Sequence, residues 1–303
     1  MNKLKSFIVG LTIVATVGVC AAQESKTPFE GEIHFNTFAN YCDYINKNGL
    51  MPGGNGIHSQ TLIIKGDKGK LIDNTAGTTT VWDMSTGDYV TFVEELKKGL
   101  EYKDNIDAIL VLAPRDTKIY GKYIQKLLSN TIALTNEVSE LEGRPCVELK
   151  GTIVREQGGM ESKYGIKVFC DTTIAMPKGC EPALYGLSLP GLPMKWSYKY
   201  DGGRVPMVGE LSAYWESTVT DVIPREVSDS EFARPGSKKS KRGEPEDPNV
   251  LTGYKMTTTS NTMSMMGYFK AVNKNTQARI EKERQSGEQE GYDSFQTSGE
   301  WEF

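Results

Sequence analysis

From Phe29 to about Pro235, apolar and polar residues alternate with period two, in short runs broken by Gly, Asp and Asn. In Ile33-His34-Phe35-Asn36-Thr37 the larger apolar groups take every second place, which sends His34 to the solvent face. Gln60 to Lys65, Lys70 to Asp73, Thr78 to Met84 and Asp88 to Glu94 continue the series. Gly66-Asp67-Lys68-Gly69 reads as a hairpin turn, because Gly and Asp tolerate positive φ, and Gly77 and Gly87 mark further turns. Short strands at this spacing predict antiparallel sheet rather than βαβ units.

The cleanest alternation is Met194-Lys195-Trp196-Ser197-Tyr198-Lys199-Tyr200, with Met194, Trp196, Tyr198 and Tyr200 on one face. After the turn at Asp201-Gly202-Gly203, Leu211, Ala213, Trp215 and Val219 offer a matching apolar face. A large aromatic side chain buries roughly 150–250 Å2, so this hairpin supplies much of a core. A helix, a second sheet or a ligand must cover its aromatic side. Trp82, Met194, Trp196, Tyr198, Tyr200 and Trp215 are therefore the candidate ligand-binding residues of a concave apolar face. Taken singly, each reads as core; the binding expectation concerns whatever surface is left uncovered.

One covering helix is predicted. From Asp116 as N-cap, apolar residues recur at Ile119, Tyr123, Ile124, Leu127 and Leu128, the stripe of an amphipathic helix lying across the sheet. The run Ile109-Leu110-Val111-Leu112 before Pro114 fits buried strand or helix equally. After Pro235 the composition changes. Gly236 to Pro248 mixes Lys238, Lys239, Lys241 and Arg242 with Glu244, Glu246 and Asp247, as a solvated linker does. Residues 238–303 read as a low-complexity, largely disordered polar tail with a marginal helix over Arg279 to Gln285. Its aromatic residues Tyr292, Phe295, Trp301 and Phe303 are candidates for docking on the domain or on a partner.

The N-terminus bears on compartment. Lys3 and Lys5, the apolar run Ser6 to Val19, and Ala21 and Ala22 have the three parts of a secretory signal over residues 1–22. The run is shorter than the roughly 18–20 residues that span a bilayer, so no transmembrane anchor is expected once it is removed. A lipoprotein signal using Cys20 is the alternative, with Val19 standing where that chemistry wants a small residue. Cleavage takes two lysines and no acids, lowering the net charge of the 303-residue chain from −4 to about −6. This balance argues against a nucleic-acid partner. Export leaves Cys42, Cys146, Cys170 and Cys180 in a disulfide-permissive compartment, with three pairings open; a local Cys170–Cys180 bridge is sterically easy.

Catalytic motifs are missing. Gly186-Leu187-Ser188-Leu189-Pro190 puts Pro where a nucleophile elbow needs Gly, and there is no HExxH, P-loop, GxGxxG or calcium loop. No CxxC pair occurs, and only His34 and His58 are available, so neither a metal nor a cofactor is expected. A hydrolase built on a reactive cysteine and one of these histidines ranks third, behind a ligand-binding protein and a cell-envelope interaction protein that uses its tail.

Four segments together resemble a known family. They are Phe29-Glu30-Gly31-Glu32-Ile33, Glu142-Gly143-Arg144-Pro145-Cys146, Leu189-Pro190-Gly191-Leu192-Pro193-Met194 and Val227-Ser228-Asp229-Ser230-Glu231-Phe232-Ala233-Arg234-Pro235. In this order they resemble the exported family called domain of unknown function 4412, related in style to GLPGLI-type proteins and to the LolA/LolB lipoprotein-carrier superfamily. The likeness covers roughly residues 29 to 235. It implies a mainly β (α+β) domain over residues 23–237: a curved antiparallel half-barrel with one or more covering helices, whose hollow holds acyl chains in the carriers. Phe169-Cys170 stands where Trp-Tyr is usual in the family, and Cys180 and the long tail are also departures. The expectation is an exported, periplasmic or secreted noncatalytic protein that binds a lipid, acyl chain or other apolar ligand, with an envelope protein as a further candidate partner.

Overall fold

The computed structural model describes residues 28–49, 51, 53–102, 106, 109–119, 123–205, 209–235, 250–258 and 262–286. The alternating runs form strands: β1 (Gly31–Tyr41), β2 (Gly56–Lys65), β3 (Lys68–Asp73), β4 (Thr78–Asp83), β5 (Asp88–Val93) and β6 (Lys98–Tyr102). They are followed by β7 (Thr117–Ile119), β8 (Tyr123–Asn130), β9 (Ala133–Leu141), β10 (Arg144–Gln157), β11 (Met160–Asp171), β12 (Leu192–Val205) and β13 (Gly209–Pro224). The short strands β14 (Arg234–Pro235), β15 (Val250–Leu251) and β16 (Lys255–Thr258) come last, and the α-helices are α1 (Asp43–Lys47) and α2 (Thr262–Ser286).

Fourteen strands make one sheet in the order β16-β6-β5-β4-β3-β2-β1-β13-β12-β11-β10-β8-β7, with β9 also on β10; β14 and β15 pair separately. The sheet is antiparallel except where β16 runs parallel to β6, and it does not close into a barrel. The mainly β class is therefore as the alternation predicts. Between β3 and β6 the strands repeat every ten residues, through four-residue turns at 74–77, 84–87 and 94–97. The last position of each turn is left-handed, occupied by Gly77, Gly87 and then Lys97.

The helix expected from Asp116 does not form. Its residues build β7 and β8 instead, which pair with each other through Thr117–Gln125 and Lys118–Ile124. The apolar spacing was compatible with helix, but β10 presents an edge on which β8 pairs, and Asp116 accepts from the backbone N–H of Leu127 at 2.9 Å across that hairpin. Tertiary hydrogen bonding overrides the local pattern. Ile109 to Leu112 is neither strand nor helix; it belongs to a chain of turns over 109–115.

In register, Tyr164, Ile166, Val168 and Cys170 of β11 share a face with Tyr198 and Trp196 of β12, Trp215 and Val219 of β13, and Ile33 and Phe35 of β1. This inner face carries the main core. Two segments cover it. One is 172–191, which contains a short 3-10 helix at Lys178–Leu184. The other is 109–117, held down by Arg155 of β10. The Arg155 side chain is fully buried and spends its N–H groups on the carbonyls of Val111, Ala113, Arg115 and Gln125 and on the Thr117 hydroxyl. The two covers are joined by the Leu112 N–H donating to the Tyr185 carbonyl at 2.8 Å.

The opposite face of β2–β5 is covered from the C-terminal side, where Val227 and Phe232 pack on Ile63, Val81, Val90 and Phe92. A capping box of Ser228 and Glu231 starts the short 3-10 helix Asp229–Phe232, and Arg225 pairs with both Glu32 and Glu231. Part of the segment assigned by composition to a polar tail is ordered on the domain. Tyr268 and Val272 of α2 are buried against Val93, Leu100 and Tyr102. Thr276 is buried beside them and donates to the carbonyls of Val272 and Ala76. Arg279 donates to the Asn74 carbonyl at 2.8 Å and pairs with Glu95. The apolar stripe of α2 is only a few residues long. Its docking relies on polar bonds to turn carbonyls at Asn74 and Ala76, which composition does not register. The linker 236–249 and the aromatic residues Tyr292, Phe295, Trp301 and Phe303 lie outside the described residues, as do residues 1–27 with the signal pattern.

Candidate functional site on the inner face

The six aromatic and methionine positions singled out by the alternation do lie on the inner face, but they separate into two sets. Met194, Trp196 and Trp82 are core. Trp196 packs on Phe35 with ring centroids 5.0 Å apart. Trp82 lies against Gly69, its partner across β3 and β4, and its indole N–H donates to the Gly179 carbonyl of the 172–191 cover at 2.7 Å. All three side chains are buried, and the Trp82 N–H is satisfied.

Tyr198 and Trp215 differ. They face each other directly across β12 and β13, with ring centroids 5.5 Å apart in an edge-on arrangement. A third ring that the alternation did not reveal, Tyr185, stands 5.7 Å from Tyr198 and 5.6 Å from Trp215. Tyr185 ends the 3-10 helix in a left-handed conformation, φ 56 and ψ 28, which costs a non-glycine residue energy. Its position follows from the cover rather than from any strand, so no periodicity could signal it. Trp215 and Tyr185 are half-buried, whereas Tyr198 is fully buried. The Tyr198 hydroxyl and the Trp215 Nε1–H are both buried without a hydrogen-bond partner. Burial pushes the Tyr185 hydroxyl up to about 12 and the Tyr198 hydroxyl well above its ordinary range, so both are neutral donors at any physiological pH. Tyr200, the sixth predicted residue, is half-buried and packs on Tyr164 at 5.0 Å, one pair further along the sheet.

Beside this triad a row of polar side chains crosses four strands. The Ser217 and Thr37 hydroxyls bond at 2.7 Å, and Thr37 donates to Gln60 Oε1 at 2.7 Å. Gln60 Nε2 donates to Asp73 Oδ2 at 3.1 Å, and the same oxygen meets His58 Nδ1 at 2.9 Å. The remaining ring nitrogen of His58 faces the Gly54 carbonyl at 3.2 Å. Since the Thr37 hydrogen is committed to Gln60, Ser217 is the donor in the first bond. Tyr41 joins the region. Its hydroxyl is pushed far up by burial, with Tyr185 and Asp73 adding to the effect. Thr80 and Thr91 share a hydroxyl bond of 2.7 Å further along. The result is an aromatic cluster with a polar row at its side.

Of the two histidines, His34 lies on the outward face beside Glu32, as its place in the alternation requires, and His58 is bound to Asp73. Cys42, Cys146, Cys170 and Cys180 are all free. The local Cys170–Cys180 bridge that the sequence allows is not formed; each cysteine packs as a buried thiol in the main core. Burial, and to a lesser extent Cys146, pushes the Cys170 thiol up to about 12, and burial raises Cys180 and Cys146 as well. These groups stay protonated, which makes them poor nucleophiles and poor metal ligands. Among the described residues no three His, Cys, Asp or Glu side chains converge into a group that could hold a metal ion. No helix among them is long and apolar enough to cross a membrane.

No protein-family model matches the chain, and no curated protein matches it.

Proposed function

We propose that this is a noncatalytic exported protein, periplasmic or secreted, that binds a lipid, acyl chain or other apolar ligand against the inner face of its sheet. The observation that carries the reading is the Tyr185–Tyr198–Trp215 cluster. Three aromatic rings meet where the sheet and its cover join, and two of the three keep partial exposure. An aromatic-lined recess with a few polar groups beside it is the usual composition of a small-molecule site. Most of the aromatic face is occupied by the chain's own cover, so the ligand enters at the Tyr185 and Trp215 end, and the Tyr185 segment is what yields. The secretory pattern of residues 1–22 supports export, and the four segments resembling domain of unknown function 4412 support a relationship to the LolA/LolB-like carriers.

Native mass spectrometry of the full chain purified from the cell envelope tests the reading, together with titration by a fluorescent fatty acid. A co-purified apolar ligand, or saturable uptake that Trp215→Ala abolishes, is the expected result. A clean apo mass with no uptake overturns it.

A further inference from the structure

We infer that the ligand seated on this cluster carries a neutral carbonyl group, whose oxygen accepts from both the Tyr198 hydroxyl and the Trp215 indole N–H. The inference rests on the apolar-ligand reading above and specifies the polar end of that ligand.

Two donors with no partner sit on rings whose centroids are 5.5 Å apart. Tyr198 is fully buried, and the polar atoms of both side chains are sealed from water and unbonded. A buried donor left unpaired is costly, and of the unpartnered buried polar atoms these two belong to direct cross-strand neighbours. The neighbouring rings offer at most a weak N–H···π contact. An indole N–H can only donate, and the Tyr198 hydroxyl has a hydrogen for which the structure supplies no acceptor. The complementary group is an acceptor.

Charge decides which acceptor. Among the described residues no salt bridge or cation–π contact involves Tyr185, Tyr198 or Trp215, and the polar row keeps its charged groups paired, His58 with Asp73. A carboxylate would have to leave water with no unpaired cation to meet it, and that desolvation is not recovered by two neutral donors. A plain hydrocarbon would leave both donors unpaired. An ester, amide or ketone oxygen has two lone pairs and no charge, and satisfies both at once. The Tyr185 ring, held over the pair by its left-handed backbone, closes the third side.

The test compares methyl decanoate, decanoate and decane binding to the full chain by titration calorimetry. The ester is expected to bind roughly tenfold tighter than the hydrocarbon, as two ordinary hydrogen bonds allow, and tighter than the carboxylate. Tyr198→Phe and Trp215→Phe keep the rings and remove one donor each. Each should weaken the ester roughly three- to tenfold and leave decane unchanged, with far-UV circular dichroism checking that the variants fold. Equal affinity for ester and decane, an ester affinity indifferent to Tyr198→Phe, or a preference for the carboxylate overturns the carbonyl assignment and leaves the apolar site standing. No binding by any of the three overturns the apolar site as well.

Discussion

His58 and Asp73 are bonded Nδ1 to Oδ2 at 2.9 Å within the inner face, and the other ring nitrogen of His58 points at the Gly54 carbonyl at 3.2 Å. A carboxylate and a carbonyl can only accept, so the imidazole needs a proton on each nitrogen to satisfy both. Burial opposes that charge, but the hydrogen bond and charge of Asp73 and the Gly54 carbonyl outweigh it, and the pKa is raised from 6.5. Gly53 packs against the ring, and its N–H donates to Asn273 of α2 at 2.8 Å. The histidine thereby ties Gly53 and Gly54, and through Gly53 the C-terminal helix, to β2 and β3.

A pH dependence follows, with a definite sign. Because the folded pKa lies above the unfolded one, the contribution of His58 is complete below pH 6.5 and is lost as pH rises through the raised folded value. Urea unfolding between pH 5.5 and 8.5 should therefore show stability falling on the alkaline side. His58→Gln should flatten that slope, and the protection of the Gly53–Gly56 and α2 amides relative to their intrinsic exchange rates should fall with pH in the wild type. A wild-type stability that stays level across this range would remove the assigned role.

Arg155 should prove a costly residue to replace. Arg155→Met keeps an apolar stem of similar reach but strands the carbonyls of Val111, Ala113, Arg115 and Gln125. Loss of several buried, charge-assisted bonds is expected to cost about 3 kcal/mol or more. Amide exchange over residues 109–117 is the local readout. A loss below about 1 kcal/mol would mean that the cover is held by its apolar contacts instead.

Gly69 carries the Trp82 ring. A Cβ at this position would lie 2.3 Å from Trp82 Cε2, and the indole cannot retreat without breaking its bond to Gly179. Gly69→Ala is expected to destabilise by about 1–3 kcal/mol, the usual range for overpacking, and to shift the tryptophan emission. An unchanged unfolding midpoint would contradict this packing.

Glu142 and Gly143 form the two-residue turn between β9 and β10, both left-handed, with φ 50 and 71. This is a turn that Asn-Gly fits best. Glu142 is exposed, so Glu142→Asn removes strain and no described contact. A gain of about 0.5 kcal/mol, read as a small rise in Tm, is expected.

The alternating runs are enough to place β1 to β5, β12 and β13 and their faces. Period two places Trp196, Tyr198 and Trp215 on one surface whatever the sheet does next, because the pleat sends alternate side chains to opposite sides. Glycine spacing likewise announced the turns at Gly77 and Gly87, since left-handed backbone favours residues without a Cβ. What lies on that surface follows from contacts between segments far apart in the chain. The stripe from Ile119 to Leu128 satisfies a helix as well as a strand, and the edge of β10 settled it as strand. Arg155 could not be recognised as a fastener, because its partners are backbone carbonyls 30 to 44 residues away, and carbonyls carry no sequence signature. The same holds for α2, whose polar side chains find turn carbonyls at Asn74 and Ala76. Tyr185 reaches Tyr198 and Trp215 through a cover with no period at all. Whether an aromatic is core or the wall of a recess depends on what is packed above it, and that is a property of the folded chain alone.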